Sequence, residues 1–180
     1  VLLCPLFPMG TCTIWGDNNE IYWYDSTINT TRLGETMKPI IAANWKMNLT
    51  EIEAIQLLKN LNSIIETCGF DVVICPSACY LNLCKENAST IILGAQNISE
   101  HDEGAFTGEV SAKMVASCGA TTVLLGHSER RHVFGESNKM IEDKLKLCAK
   151  YNLKPIVCVG ETIEQRKNDQ VYEIIKDQLS

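Results

Sequence analysis

From Lys38 onward the chain alternates between short apolar runs and longer segments with helical spacing. The runs cover residues 40–43 (IIAA), 72–75 (VVIC), 91–94 (IILG), 122–125 (TVLL) and 155–159 (PIVCV). Each is nearly continuous in hydrophobicity, the pattern of parallel strands covered on both faces. Between the first two runs Thr50 and Glu53 hold capping-box spacing, and Ile52, Ile55, Leu58, Leu61 and Ile65 recur every three or four residues. Residues 111–118 predict a shorter helix, with Gly119 placed to stop it. Ser137 opens another, with Ile141, Leu145 and Cys148 on its inner face and a Glu142–Lys146 pair outside. Thr162 and Gln165 repeat the capping-box spacing ahead of Val171, Ile174, Ile175 and Leu179.

Strand and helix alternating through five units predict right-handed crossovers and a parallel sheet, an α/β fold. Two architectures fit: an open doubly wound sheet, or a (β/α)8 TIM barrel present as an incomplete portion of about five βα units. The open nucleotide-binding sheet carries a glycine-rich first turn. Here that turn reads NWKMN and has no glycine. Polar groups gather instead after the first and fourth runs, whose ends share the C-terminal rim of a barrel. The barrel is the favoured reading.

Residues 123–131, VLLGHSERR, carry the sharpest chemical signal. A buried strand delivers His127 straight into a new helical turn. Backbone N–H groups at a helix start favour an acceptor nitrogen and disfavour positive charge, so the imidazole is expected neutral and fixed in one tautomer. A core histidine satisfied by backbone is the plain alternative. Residues 40–48, IIAANWKMN, form a second run that breaks into polar residues. Strand alternation sends Asn44 and Lys46 to one face and Trp45 and Met47 to the other. An amide and an ammonium at one strand end suit a small anion bearing a carbonyl; a solvated rim lysine is the competing reading.

A chain of 180 residues, 46% hydrophobic, can bury one domain's core. Its net charge of −6 and pI near 5.1 argue against a nucleic-acid footprint. No apolar run approaches the roughly 20 residues of a membrane span. The nine cysteines are odd in number, and Cys75, Cys148 and Cys158 sit inside apolar runs, which fits small buried hydrophobes in a reducing, cytoplasmic setting. Cys75, Cys79 and Cys84, with His101 further on, lack zinc-ribbon spacing, so no metal site is expected. Asn29, Asn48, Asn87 and Asn97 each open a glycan-acceptor triplet that a cytoplasmic protein leaves unused.

AANWKMN, GAQNISEHDEGAFTGE, GHSERR and CVGE stand in this order and at about this spacing in triosephosphate isomerase, and over residues 37–180 the chain resembles that family. The resemblance implies a TIM barrel that interconverts dihydroxyacetone phosphate and glyceraldehyde 3-phosphate through an enediolate, in glycolysis and gluconeogenesis, without metal or organic cofactor. Lys46 would meet the substrate's negative charge, and Asn44 would offer its amide near the carbonyl oxygen. His127 would polarise that carbonyl and pass a proton between the substrate oxygens; the neutral helix-terminus histidine is this family's own well-known case, carried over here. Ser128 and Glu129 would support His127 and Lys46, with a solvated carboxylate as the plain alternative for Glu129. The GAFTGE loop would project into a second subunit, so that Thr107 shapes the partner's site and the enzyme is a homodimer. Arg130 and Glu136 would be structural near that interface, His132 incidental, and Cys158 a buried cysteine near the site.

The chain also departs from the family. Its proton-abstracting glutamate lies after the sixth strand in a segment resembling YEPVWAIGTG, and no glutamate here stands in such a segment. The later phosphate-binding loops have no counterpart either. This stretch alone is therefore expected to lack useful isomerase activity, since general acid–base catalysis is worth roughly 10²–10⁴-fold. Residues 1–36 have no counterpart in the family and are read as an extension outside the barrel, with one basic residue (Arg32) against Asp17, Glu20, Asp25 and Glu35. TCTIW, GDNN and EIYWY within it have the makings of a small hairpin. The competing functional readings are a catalytically dead relative kept as a dimerising scaffold, and a nucleotide-binding module on an open sheet.

Overall fold

The computed structural model describes the backbone of Ile21–Tyr22 and residues 40–65 and 70–180, in two compact units. Over the described residues, the first comprises the chain up to Gln96 with Cys118–Ala120, and the second residues 97–117 and 121–180. The hairpin expected within residues 11–24 falls outside the described residues except at Ile21–Tyr22.

In the first unit, β2 (Ile40–Asn44), β3 (Asp71–Cys75) and β4 (Ile92–Ala95) pair in parallel, with Ile41 opposite Val72 and Val73 opposite Ile92. A two-residue strand β1 (Ile21–Tyr22) pairs antiparallel with β2, Ile21 opposite Ala43. Helix α1 (Glu51–Ile65) starts where expected, the Glu53 carboxylate accepting from the Thr50 N–H at 2.7 Å and the Thr50 hydroxyl at 2.8 Å. Its buried face is Ala54, Leu58 and Ile65, rotated from the expected one, and Ile52 lies outside. The small Ala54 sits on the buried face where the apolar count favoured the larger Ile52. A 3-10 turn (Ala78–Tyr80) and helix α2 (Leu81–Asn87) link β3 to β4 and bury Leu81 and Cys84. Seven residues with no side-chain cap gave the sequence little to announce α2 by.

In the second unit, β5 (Thr122–Leu125) and β6 (Lys154–Val157) pair in parallel, Leu124 opposite Ile156. Val123, Leu124 and Leu125 are almost wholly enclosed. Helix α3 (Ala112–Ser117) stops before Gly119, whose φ of +88° an L side chain rarely adopts. The short helix α4 (Ser128–His132) follows β5. Helix α5 (Asn138–Lys150) is capped by the Ser137 hydroxyl, carries the expected Glu142–Lys146 pair, and packs on β5 and β6. The capping box of Thr162 and Gln165 is complete, but the helix it opens, α6 (Ile163–Lys167), ends early. Asp169 takes φ +55° and the apolar residues beyond form a separate helix, α7 (Val171–Leu179). No apolar residue falls between Arg166 and Gln170, so nothing there holds a helix against the core.

Candidate active site

Asn44 ends β2, and the ladder runs one residue further through the Trp45 N–H to the Cys75 carbonyl at 3.0 Å. The backbone then turns left-handed at Lys46, φ +52°. This corrects the alternation expected from the sequence. Trp45 is buried while Met47 is 95% exposed, so they do not share a face. A non-glycine residue persists in this conformation only where its surroundings fix it. Three side chains do so here. The Lys46 N–H donates to Asn44 Oδ1 at 2.9 Å, and the Lys46 carbonyl accepts from Gln96 Nε2 at 2.8 Å and from the Ser77 hydroxyl at 3.3 Å. Gln96 also donates to the Cys75 carbonyl at 2.9 Å, tying the turn to the end of β3. With Oδ1 engaged, the Asn44 amide is oriented, and its NH₂ end supplies the donors. Ammonium and amide donor thus come from one rigid turn at the C-terminal end of a strand.

The second unit carries the histidine as the sequence predicted. β5 ends at Leu125, Gly126 takes φ +68°, and His127 caps α4, its carbonyl accepting the first helical N–H, that of Arg131, at 3.0 Å. The imidazole is buried, and its Nδ1 accepts from the Glu129 backbone N–H at 3.2 Å. The Glu129 carboxylate lies 3.4 Å from the same nitrogen. These partners ask for opposite states, since an amide needs an unprotonated Nδ1 and a carboxylate a protonated one. The amide is fixed in the first helical turn and always a donor, whereas the carboxylate is half exposed and screened by water. The amide prevails, so the ring proton sits on Nε2, which becomes a donor. Ser128, exposed, is the first residue of α4. Thr107 lies in the exposed loop of residues 100–109. There the His101 and Phe106 rings stack at 3.8 Å, and Asp102 accepts from Tyr151 at 2.6 Å and Lys150 at 2.5 Å.

Asn44 with Lys46 in one unit, and His127 with Ser128 and Glu129 in the other, are the two groupings of expected site residues. Sequence reasoning gave no role to Gln96 or to Arg131, although both stand inside the quoted motifs. Arg131 donates to three oxygens: the Gly126 carbonyl, next to His127 in the chain, at 2.8 Å, Asn138 Oδ1 at 2.7 Å and the Cys158 carbonyl at 3.4 Å. Arg130 and Lys144 meet on Glu136, at 2.7 and 2.5 Å. Among the described residues no cluster of three or more His, Cys, Asp or Glu is placed to hold a metal ion. Burial pushes the Cys84 and Cys148 thiols up to about 11, as suits inert packing groups. Among the described residues no helix is long and apolar enough to cross a membrane.

The family model for triosephosphate isomerase matches residues 39–180. A triosephosphate isomerase of Alkaliphilus metalliredigens is 43% identical over 145 residues, covering 79% of this chain and 58% of that protein. One from Clostridium botulinum is 42% identical over 142 residues, covering 78% and 57%. The crystal structure of triosephosphate isomerase from Bartonella henselae matches with a TM-score of 0.75 at 37% identity, covering 79% of this chain and 60% of that one. The chain therefore spans about 58% of the length of the curated relatives it matches. On this likeness the fold is a partial (β/α)8 barrel of five βα units, not an open doubly wound sheet. The chain belongs to the triosephosphate isomerase family.

Proposed function

We propose that this chain is the first part of a triosephosphate isomerase, interconverting dihydroxyacetone phosphate and D-glyceraldehyde 3-phosphate through an enediolate in glycolysis and gluconeogenesis. Abstraction of the carbon-bound proton moves negative charge onto the carbonyl oxygen. A donor already aimed at that oxygen lowers the barrier most. The observation that carries the reading is the Glu129 N–H donating to His127 Nδ1, which makes Nε2 the protonated, donating nitrogen of a neutral ring. In this reading His127 polarises the carbonyl and shuttles a proton between the two substrate oxygens. Lys46 neutralises the substrate's charge, Asn44 donates near the carbonyl oxygen, and Ser128 and Glu129 hold His127 and Lys46 in place. The reaction runs without metal or organic cofactor. Thr107 and its loop reach into a second copy of the chain, making the enzyme a cytoplasmic homodimer.

The carbon base is the glutamate of the family's later segment, and the 180 residues alone are inactive without it. The test is a coupled isomerase assay on this chain and on the gene product read through past Ser180. The 180 residues are expected to turn over no faster than their His127→Ala variant, and the longer product to isomerise triose phosphate. A longer product without turnover, or a 180-residue chain clearly faster than its His127→Ala control, would contradict the reading.

A further inference from the structure

We infer that Arg131 is the positioning residue that sets the orientation and tautomer of His127, through the carbonyl of Gly126. The guanidinium lies against Gly126 so closely that a Cβ there would stand 2.9 Å from Nη2 and 3.1 Å from Nε. Its Nε–H donates to the Gly126 carbonyl at 2.8 Å, which fixes the plane of the peptide that enters His127. Gly126 turns that carbonyl toward the arginine by adopting φ +68°. Glycine and arginine are thus a matched pair, one supplying the turn and the other filling the space a side chain would take.

The other two contacts make the fork rigid. Nη2 reaches the Cys158 carbonyl at 3.4 Å, just beyond β6, where the Cys158 N–H continues the ladder to the Leu125 carbonyl at 2.8 Å. Nη1 donates to Asn138 Oδ1 at 2.7 Å, and Asn138 in turn donates to Asp177 Oδ2 at 2.8 Å. One planar group therefore spans the ends of two strands and the start of α5, a geometry that a lysine's point charge cannot reproduce. The bond that favours this tautomer, Glu129 N–H to Nδ1, stands at 3.2 Å, the far end of the ordinary range, so it depends on how the frame holds the His127 backbone.

This inference rests on the isomerase reading for its functional meaning, but its test does not require turnover. The chain, labelled with ¹⁵N in its three histidines, is examined by long-range ¹H–¹⁵N correlation at neutral pH, His127 being assigned by its loss in His127→Gln. The parent is expected to show His127 as the Nε2–H tautomer. Arg131→Met should shift the tautomer ratio toward Nδ1–H by about fivefold, the equivalent of one hydrogen bond, with His101 and His132 unmoved and helicity retained. Arg131→Lys, which still serves one carbonyl, should fall between, and it carries the test if the methionine variant does not fold. An unchanged His127 spectrum in a folded Arg131→Met, or in Arg131→Lys where that variant is the one that folds, would overturn the inference. Altered tautomers together with an inactive longer product would fell the isomerase reading alone.

Discussion

The buried ion cluster of Glu136 and Lys144 offers the sharpest energetic test of the second unit. Glu136 and Lys144 are both almost wholly enclosed, with side chains 0% and 1% exposed, and their closest atoms are 2.5 Å apart. Arg130 Nε and Asn97 Nδ2 also donate to the same Glu136 oxygen, at 2.7 and 3.2 Å. Among the described residues Oε2 has no hydrogen-bond partner. Lys144→Met removes a fully buried counter-charge and, among the described residues, leaves Glu136 to the partly exposed Arg130. Stranding a buried charge in this way costs about 3–5 kcal/mol. Glu136→Gln strands Lys144 and should cost a similar amount. The double variant strands neither, because an apolar and a neutral polar group occupy the site together, and it should be no worse than either single change. The coupling between the two positions should therefore reach about 3 kcal/mol or more. Urea unfolding followed by circular dichroism measures all four chains, and at an ordinary slope for small domains each single change moves the midpoint by roughly 2 M. Single variants within about 1 kcal/mol of the parent, or costs that simply add, would refute the reasoning.

Further outcomes follow from the same geometry. Burial raises the Glu136 pKa, but the hydrogen bonds from Lys144 and Arg130 outweigh it, and the net shift is downward. A carboxylate held low in the fold stabilises above its unfolded value, near about 4.3, and loses that contribution as pH falls through the folded value. The parent's urea midpoint should thus drop on acidification below that range, with a shallower drop in Glu136→Gln. Gly94→Ala places a Cβ 2.7 Å from Cys75 Sγ and should cost about 1–3 kcal/mol of melting stability, partly regained in the double variant with Cys75→Ala. Thr162→Ala removes the hydroxyl that accepts from the Gln165 N–H at 3.2 Å. It should weaken α6 by about 1 kcal/mol, read as faster amide exchange at Gln165.

The strands were legible because continuous apolar runs leave little choice of structure, and the five read from sequence match β2–β6 to within a residue or two. Caps were legible at Ser137 and Thr162 because a hydroxyl three residues before a helical N–H is a local signal. Helix faces were less so. Ala54 displaces Ile52 from the core of α1, and Lys144 enters the core of α5 where Leu145 was expected, because a buried partner (Glu136) outweighs side-chain polarity. At the candidate site, His127 was readable from a strand running into a polar turn. The left-handed Lys46 was not, because its cause is distant in sequence: Gln96 and Ser77 reach it from other elements. Arg131 escaped for the same reason, since its partners lie at the ends of two strands and on the next helix.

The most direct test of the proposed isomerase reading is kinetic. In the gene product read through past Ser180, His127→Gln and Lys46→Met are each predicted to lower kcat/KM by about 10²-fold or more, with the fold intact by circular dichroism. Turnover within a few-fold of the parent in either folded variant would contradict it.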